Sequence, residues 1–452
     1  MLFNSPSFIF VFFPAVFILS RLLKGTGSRN ILLAAASLVF YAFGQILCVP
    51  LLLFSVLINY LSGVFLIRSC EKGTEKTVLA VSVFLNLAVL SVFKYSGLTA
   101  LPLGISFFTF QGMSYVIDVY RERELGTRSF LKVFLYIAFF PRLISGPIVR
   151  YSEIWSQMDE REISPDKTVW GIKRFVFGLS KKVLLSAALA KIADAVFSWT
   201  SGTAAAIDWR IAWLGAVSYA LQIYFDFSGY SDMAIGISSI FGFDIAENFN
   251  LPYTACSLRD FWRRWHISLS QWFREYLYIP LGGNRKGKFR AVINRLAVFL
   301  CTGIWHGANP TFIVWGLCHG ILCGLEGAEI IPVKKLGSTL FGRVICRIYT
   351  LLAAVVLFVV FRADTLGQAF NVISSMFSFR TSAGAPFKLA ELISPMSAVV
   401  IALSVFFAGR PAEKLRCLEK NGFGTAVAIP LFILCLMSIS RGGFAPFIYL
   451  QF

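Results

Sequence analysis

The chain holds three histidines, His266, His306 and His319, and all of them fall within residues 266–319. Imidazole takes and gives protons near neutral pH, so a proton-handling site is expected in this stretch. His306 stands in Gly303-Ile-Trp305-His306-Gly307-Ala-Asn309-Pro310. The flanking glycines let a ligand or a backbone come close, and Asn309 could orient the ring. The run Leu296–Leu325 carries no Asp, Glu, Lys or Arg. It sets His306 in or near a membrane, where ionisable groups carry a functional presumption. The alternative for His306 is a helix-end histidine satisfied by a backbone carbonyl. His319, in Trp315-Gly-Leu-Cys-His319-Gly320, reads as a packing or supporting residue on the following helix.

His266 lies in Arg259-Asp-Phe-Trp-Arg263-Arg-Trp-His266-Ile-Ser-Leu-Ser270-Gln-Trp-Phe-Arg274. At about 100° per residue, Arg259, Arg263, His266, Ser270 and Arg274 share one helical stripe. Leu258, Phe261, Trp262, Trp265, Leu269, Trp272 and Tyr276 form the opposing apolar face. The pattern predicts an amphipathic helix at, or dipping into, a membrane interface. The neighbouring arginines disfavour another positive charge, so His266 is expected to be neutral, as a general base or acceptor must be. A histidine hydrogen-bonded at headgroup level would leave the same pattern.

Between Arg259 and Arg295 stand nine basic residues, Arg274, Arg285 and Lys286 among them, against the two acids Asp260 and Glu275. The cluster suits either a phosphate-binding mouth for an anionic donor such as a coenzyme A ester, or anionic lipid headgroups. A second polar group, Tyr224-Phe-Asp226-Phe-Ser-Gly-Tyr-Ser-Asp232, is expected to be structural. Buried carboxylates need partners, and Arg142 and Arg150, beside Pro141 and Gly146-Pro147, are the expected ones. The sequence has no GxSxG elbow, P-loop, HExxH or Rossmann glycine pattern. A Ser–His–Asp hydrolase is thereby disfavoured, and a histidine acting directly on a bound hydroxyl fits better.

The elements that carry these residues are set by composition. Of the 452 residues, 57% are hydrophobic and only 15% charged, and mean hydropathy is +0.71. A soluble domain needs about 25% charged residues, so cytosolic enzyme, secreted disulfide scaffold and disordered chain are excluded. The expectation is an all-α polytopic membrane protein. Uncharged runs, among them Ile31–Ile67 with Pro50 at its turn, give about eleven spans. Phe8–Leu19 lacks the basic flank of a signal peptide. Pro102 and Gly104, Pro141, Pro280 with Gly282-Gly283, and Gly307 with Pro310 interrupt apolar stretches. Broken backbone at membrane depth must be buried or line a wet cavity, so re-entrant pieces around a central funnel are expected.

The net charge of +18 follows from basic clusters such as Arg21/Lys24/Arg29 and Arg410/Lys414/Arg416/Lys420, read as cytoplasmic loops rather than a nucleic-acid surface. Nine scattered cysteines without a CxxC pair support neither a disulfide framework nor a zinc or other metal site. One membrane domain is expected over residues 1–452, with a catalytic core at about 98–325.

Several of these segments resemble the membrane-bound O-acyltransferase family, in its bacterial alginate O-acetylation branch. They are Gly104-Ile-Ser-Phe-Phe-Thr-Phe110, Phe140-Pro-Arg-Leu-Ile-Ser-Gly-Pro147, Asp226-Phe-Ser-Gly-Tyr-Ser-Asp232, Asn248-Phe-Asn-Leu-Pro-Tyr253, the 259–274 segment, Trp305-His306-Gly-Ala-Asn309 and Pro446-Phe-Ile-Tyr-Leu-Gln-Phe452. The likeness covers nearly the whole chain in the family's order. It implies about eleven helices around a funnel, with His306 as the catalytic base and His266 as a second active-site residue. It further implies an acyl thioester donor, acetyl-CoA or another, as substrate rather than a resident cofactor. The acceptor would be an extracytoplasmic polysaccharide, reached directly or through a partner acyltransferase, at the bacterial cytoplasmic membrane. Trp305, Asn309, Arg259, Arg263 and Ser270 are expected to line the substrate site, and Arg274, Arg285 and Lys286 to meet the donor's phosphates. Two alternatives remain: D-alanyl transfer to teichoic acid, or a flippase or carrier for a lipid-linked or anionic solute. A carrier would show inverted repeats, and the 259–310 pattern has no second copy in the N-terminal half.

Overall fold

The computed structural model describes residues 1–68, 72–97, 101–201, 207–381, 389–409, 422–442 and 447–448. Among them every regular element is helical and no strand occurs. That follows from the hydropathy, since in hydrocarbon each backbone N–H and C=O must find its partner inside its own helix. Five helical stretches are long and apolar enough to cross a membrane: Thr26–Arg68, Gly73–Tyr95, Pro165–Ser201, Leu340–Arg362 and Gly422–Ser440.

The first of these contains the expected turn, but earlier in sequence than expected. Helix α1 (Thr26–Gln45) and helix α2 (Val49–Arg68) are separated by a 3₁₀ turn at Ile46–Cys48. Pro50 therefore lies in the first turn of α2, where its missing N–H has no helical partner to lose. Each helix has 20 residues, one hydrocarbon thickness. There follow α3 (Lys72–Tyr95), α4 (Ile105–Arg121), α5 (Pro165–Ser180), α6 (Ala187–Ser201) and α7 (Trp209–Ile240). The anticipated breaks are breaks in the structure: Gly104 starts α4 with φ +74°, and Phe140–Leu143 is a helix of one turn.

The described chain forms two compact units, residues 1–179 with 230–247, and residues 180–229 with 248–448. In the first unit α2, α3 and α4 pack on small and amide side chains. Asn59 and Asn86 exchange side-chain hydrogen bonds at 3.1 and 3.0 Å between α2 and α3, both buried. A Cβ on Gly112 would come within 2.3 Å of the Asn59 amide, so α4 approaches α2 only because glycine stands there. Arg174 of α5 is buried and donates to Asp232 at 3.1 and 2.6 Å and to Glu247 at 2.6 Å. Arg142 is fully buried too, but it donates to the Tyr136 carbonyl at 3.0 Å and lies against the Tyr136 and Phe139 rings. Arg150 pairs with Glu153 at 2.6 Å. The expected partnership of Asp232 with Arg142 or Arg150 is thus replaced by one with Arg174.

The second unit begins with a π-helical turn at Lys181–Ser186. It turns the buried Lys182 ammonium onto Asp226 of α7, and Asp226 also accepts from Ser186 Oγ at 3.3 Å and from the Ile448 N–H at 2.9 Å. Asp226 is therefore held in a buried ion pair, with a lysine rather than an arginine as its partner. The seven described cysteines are free thiols. Cys70, Cys417, the basic cluster Arg410–Lys420 and most of the C-terminal motif lie outside the described residues.

Candidate active site

Five further helices of the second unit hold or flank the three histidines. They are α8 (Leu258–Trp262), α9 (Ile267–Phe273), α10 (Gly287–His306), α11 (Pro310–Gly327) and α12 (Leu340–Arg362). Helices α10 and α11 run antiparallel at very short range. A Cβ on Gly303 would meet the Phe312 carbonyl at 2.5 Å, and one on Gly316 would meet the Phe299 carbonyl at 2.4 Å. Gly316, Gly320 and Gly324 form a small-residue stripe at four-residue spacing that faces Phe299, Leu296 and Val292. This spacing is plain in the sequence and is the signal that could have predicted the hairpin.

The hairpin fixes His306, the last residue of α10, in an aromatic box. The imidazole is buried, with ring centres 4.6 Å from Trp305, 5.2 Å from Trp315, 4.8 Å from Phe361 and 6.1 Å from Phe312. The Asn309 side chain bonds to the chain around it rather than to the ring. Its carbonyl caps α11 by accepting from the Thr311 N–H at 3.1 Å, and its amide donates to the Asp364 carbonyl at 2.9 Å. The asparagine thus fixes the Gly307–Pro310 turn that ends at His306.

The single amphipathic helix expected over 259–274 is two short helices with a break at Arg263–His266. His266 sits at the break with φ +43° and ψ +56°, a left-handed conformation uncommon outside glycine and asparagine. A non-glycine residue held there stores strain that the surrounding contacts must offset. Asn248 supplies them. Its Oδ1 lies 3.3 Å from His266 Nδ1, and accepts from the Ser268 N–H at 3.1 Å and the Ser268 hydroxyl at 2.9 Å. The Ile267 N–H donates to the Asn248 carbonyl at 2.9 Å, and the Asn250 N–H to the Arg264 carbonyl at 2.9 Å. The left-handed residue turns the His266 ring away from the arginine stripe and against Phe227, 4.5 Å between centres. His266 lies outside the five candidate spans, and burial pushes its imidazole down to about 3. It is neutral as expected, though burial is the cause rather than the arginines. Because Asn248 Oδ1 can only accept, the proton belongs on Nδ1 and the lone pair on Nε2.

The rest of the stripe survives the break. Arg259, Arg263, Ser270 and Arg274 line one cavity of about 600 Å³, together with Trp262, Tyr278, Asn284, Arg295, Phe299 and Thr302. Its walls contain four arginines and no carboxylate. Arg285 and Lys286 are exposed in the turn before α10 and are not among the lining residues. Two positions that organise this cavity escape any spacing argument. Glu326 of α11, buried, accepts the Leu258 and Arg259 N–H groups at 2.8 and 3.0 Å and so starts α8 from outside it. Trp262, assigned by periodicity to the apolar face, forms cavity wall and donates its indole N–H to His319 Nδ1 at 3.2 Å.

Chemically, the unit offers a cationic pocket for an oxyanion-bearing ligand, a buried histidine held by rings, and another histidine that is neutral and locked as one tautomer. The family model described as MBOAT, membrane-bound O-acyltransferase family, matches residues 35–328. The chain belongs to the membrane-bound O-acyltransferase family and is an O-acyltransferase. It is similar to a probable alginate O-acetylase of Pseudomonas putida, 36% identical across 100% of both chains. It is also similar to a peptidoglycan O-acetyltransferase of Helicobacter pylori, 35% identical over 83% of this chain and 80% of that one. A teichoic acid D-alanyltransferase of Bacillus subtilis is 33% identical over 49% of this chain and 57% of its own length.

Proposed function

We propose that the protein moves an acetyl group from a thioester donor, acetyl-CoA or a related acyl carrier, onto hydroxyls of an extracytoplasmic polysaccharide. The observation that carries the reading is the arginine-lined, carboxylate-free cavity formed by the same helices that hold His306 and His266. A thioester donor of this kind carries phosphates, and four guanidiniums at about 600 Å³ suit them. His306, neutral, takes the proton of the acceptor hydroxyl as its oxygen attacks the thioester carbonyl. The carbon–sulfur bond then breaks, and the imidazolium returns the proton to the departing thiolate. His266, with its Nε2 lone pair, orients donor or acceptor, and Trp305 packs the base. Arg259, Arg263 and Ser270 bind the substrate, and Arg274 with the exposed Arg285 and Lys286 draws in the phosphates.

The fuller reading has about eleven spans around a funnel in the bacterial cytoplasmic membrane, donor inside and acceptor outside. An extracytoplasmic acyltransferase partner would complete the transfer. The Pseudomonas putida and Helicobacter pylori relatives support an acetyl group. The Bacillus subtilis relative supports a second reading, D-alanyl transfer to a teichoic acid. The test is turnover of labelled acetyl-CoA and of D-alanyl thioesters by protein in lipid nanodiscs, for unmutated chain, His306→Ala and His306→Gln. Loss of turnover by several orders of magnitude with donor binding retained supports the base assignment. Full turnover in His306→Gln would sink it.

A further inference from the structure

We infer that His319 is a positioning residue for the donor cavity: it holds Trp262 as the cavity wall and, through Trp315, ties that wall to His306. The inference rests on the reading of the cavity as the donor site. An indole N–H can only donate, so the 3.2 Å contact makes His319 Nδ1 the acceptor nitrogen and places the ring proton on Nε2. The imidazole is 1% exposed and stacks on Phe299 at 5.9 Å and 19°, behind two residues that line the cavity. Trp262 meets Phe299 at 5.2 Å and His319 at 5.1 Å, both edge-on. On its other side His319 meets Trp315 at 5.0 Å, and Trp315 meets His306 at 5.2 Å and 90°.

Trp262, His319, Trp315 and His306 thus form an unbroken series of ring contacts from the cavity to the base. An apolar residue at 319 would fill the space but leave the half-buried Trp262 indole N–H without its acceptor. Trp262 would then turn toward the polar cavity to find one, narrowing the space that receives the donor. The glycine stripe on α11 keeps the series rigid, since Gly316 and Gly320 lie on either side of the His319 turn and press directly on α10.

The experiment compares His319→Leu, His319→Asn, Trp262→Phe and the His319→Leu/Trp262→Phe double variant in nanodiscs. KM for acetyl-CoA, kcat and thermal unfolding are measured for each. Asparagine offers an amide oxygen where Nδ1 stood. KM is expected to rise about ten-fold in His319→Leu and in Trp262→Phe with kcat changed less, and no further in the double variant. His319→Asn is expected to return to within about three-fold of the unmutated value. Independent, multiplying effects in the double variant, or an asparagine variant as impaired as the leucine one at equal melting temperature, would overturn the proposal. If His319→Leu does not fold, an unchanged KM in Trp262→Phe overturns it alone. Arg263→Ala separates the two readings: if it leaves KM unaltered, the donor-site assignment has failed. The His319 contact is then judged from the Trp262 share of tryptophan emission, which must shift in His319→Leu and stay put in His319→Asn.

Discussion

Asn248 Oδ1 stands 3.3 Å from His266 Nδ1 and gathers two further donors from Ser268, so one amide oxygen fixes both the tautomer and the left-handed backbone of His266. Asn248→Ala would leave three buried donors without their acceptor. A destabilisation of about 1–3 kcal/mol is expected, with a drop of at least ten-fold in kcat. Asn248→Asp keeps the acceptor but adds a negative charge, which favours imidazolium. The acid limb of the pH–rate profile is expected to move to higher pH in that variant. An unshifted limb would mean that His266 does not titrate in the reaction.

Stability should carry the mark of the same histidine. Above the ordinary value of 6.5, folded and unfolded chains both hold His266 neutral, and it adds no pH dependence. As pH falls below 6.5, the unfolded chain takes a proton that the buried site refuses until about 3. Stability is therefore lost at up to about 1.4 kcal/mol per pH unit through that window. Thermal unfolding of detergent-solubilised protein between pH 5 and 8 (about the practical range) should show a shallower acid slope in His266→Gln.

The Lys182–Asp226 pair is buried on both sides, at 3% and 1% side-chain exposure. Removing one partner strands a charge, so Asp226→Asn or Lys182→Met is expected to cost about 3–5 kcal/mol. The double variant Lys182→Met/Asp226→Leu removes both charges and should recover much of that loss. Yield and melting temperature of the three variants decide it. A double variant worse than either single would show that the Ile448 N–H, not the charge, is what Asp226 chiefly serves.

Glu326 starts α8 and thereby sets where Arg259 stands. Glu326→Ala should raise KM for an acyl-CoA donor about ten-fold while leaving kcat within a few-fold, because the cap lies away from His306. A fall in kcat alone would place Glu326 in the chemistry instead.

Periodicity in the 259–274 segment was a sound guide to Arg259, Arg263, Ser270 and Arg274, which do share a cavity. It misplaced His266, since a left-handed residue turns its own side chain out of the stripe and leaves no trace in spacing. It misplaced Trp262 because an amphipathic reading sends every indole to the apolar side, whereas this one also needs a polar acceptor. The partner of Asp226 was equally out of reach: Lys182 is brought to it by a π-turn, which has no composition signature. By contrast, the all-helical architecture and the breaks at Gly104, Pro141, Pro280 and Gly307 follow from hydropathy and backbone chemistry alone. The glycine stripe of α11 was open to view and waited only for the right spacing to be tried.

The cavity with four guanidiniums and no carboxylate has a consequence at the bench. Guanidiniums bind small oxyanions in general, so sulfate and inorganic phosphate are expected to compete for this cavity. Buffers chosen for convenience would then act as inhibitors, lifting the measured KM while raising the melting temperature by mass action. The same property offers a handle: a sulfate-stabilised preparation, later exchanged into chloride, would hand the enzyme over with its arginine-lined cavity open.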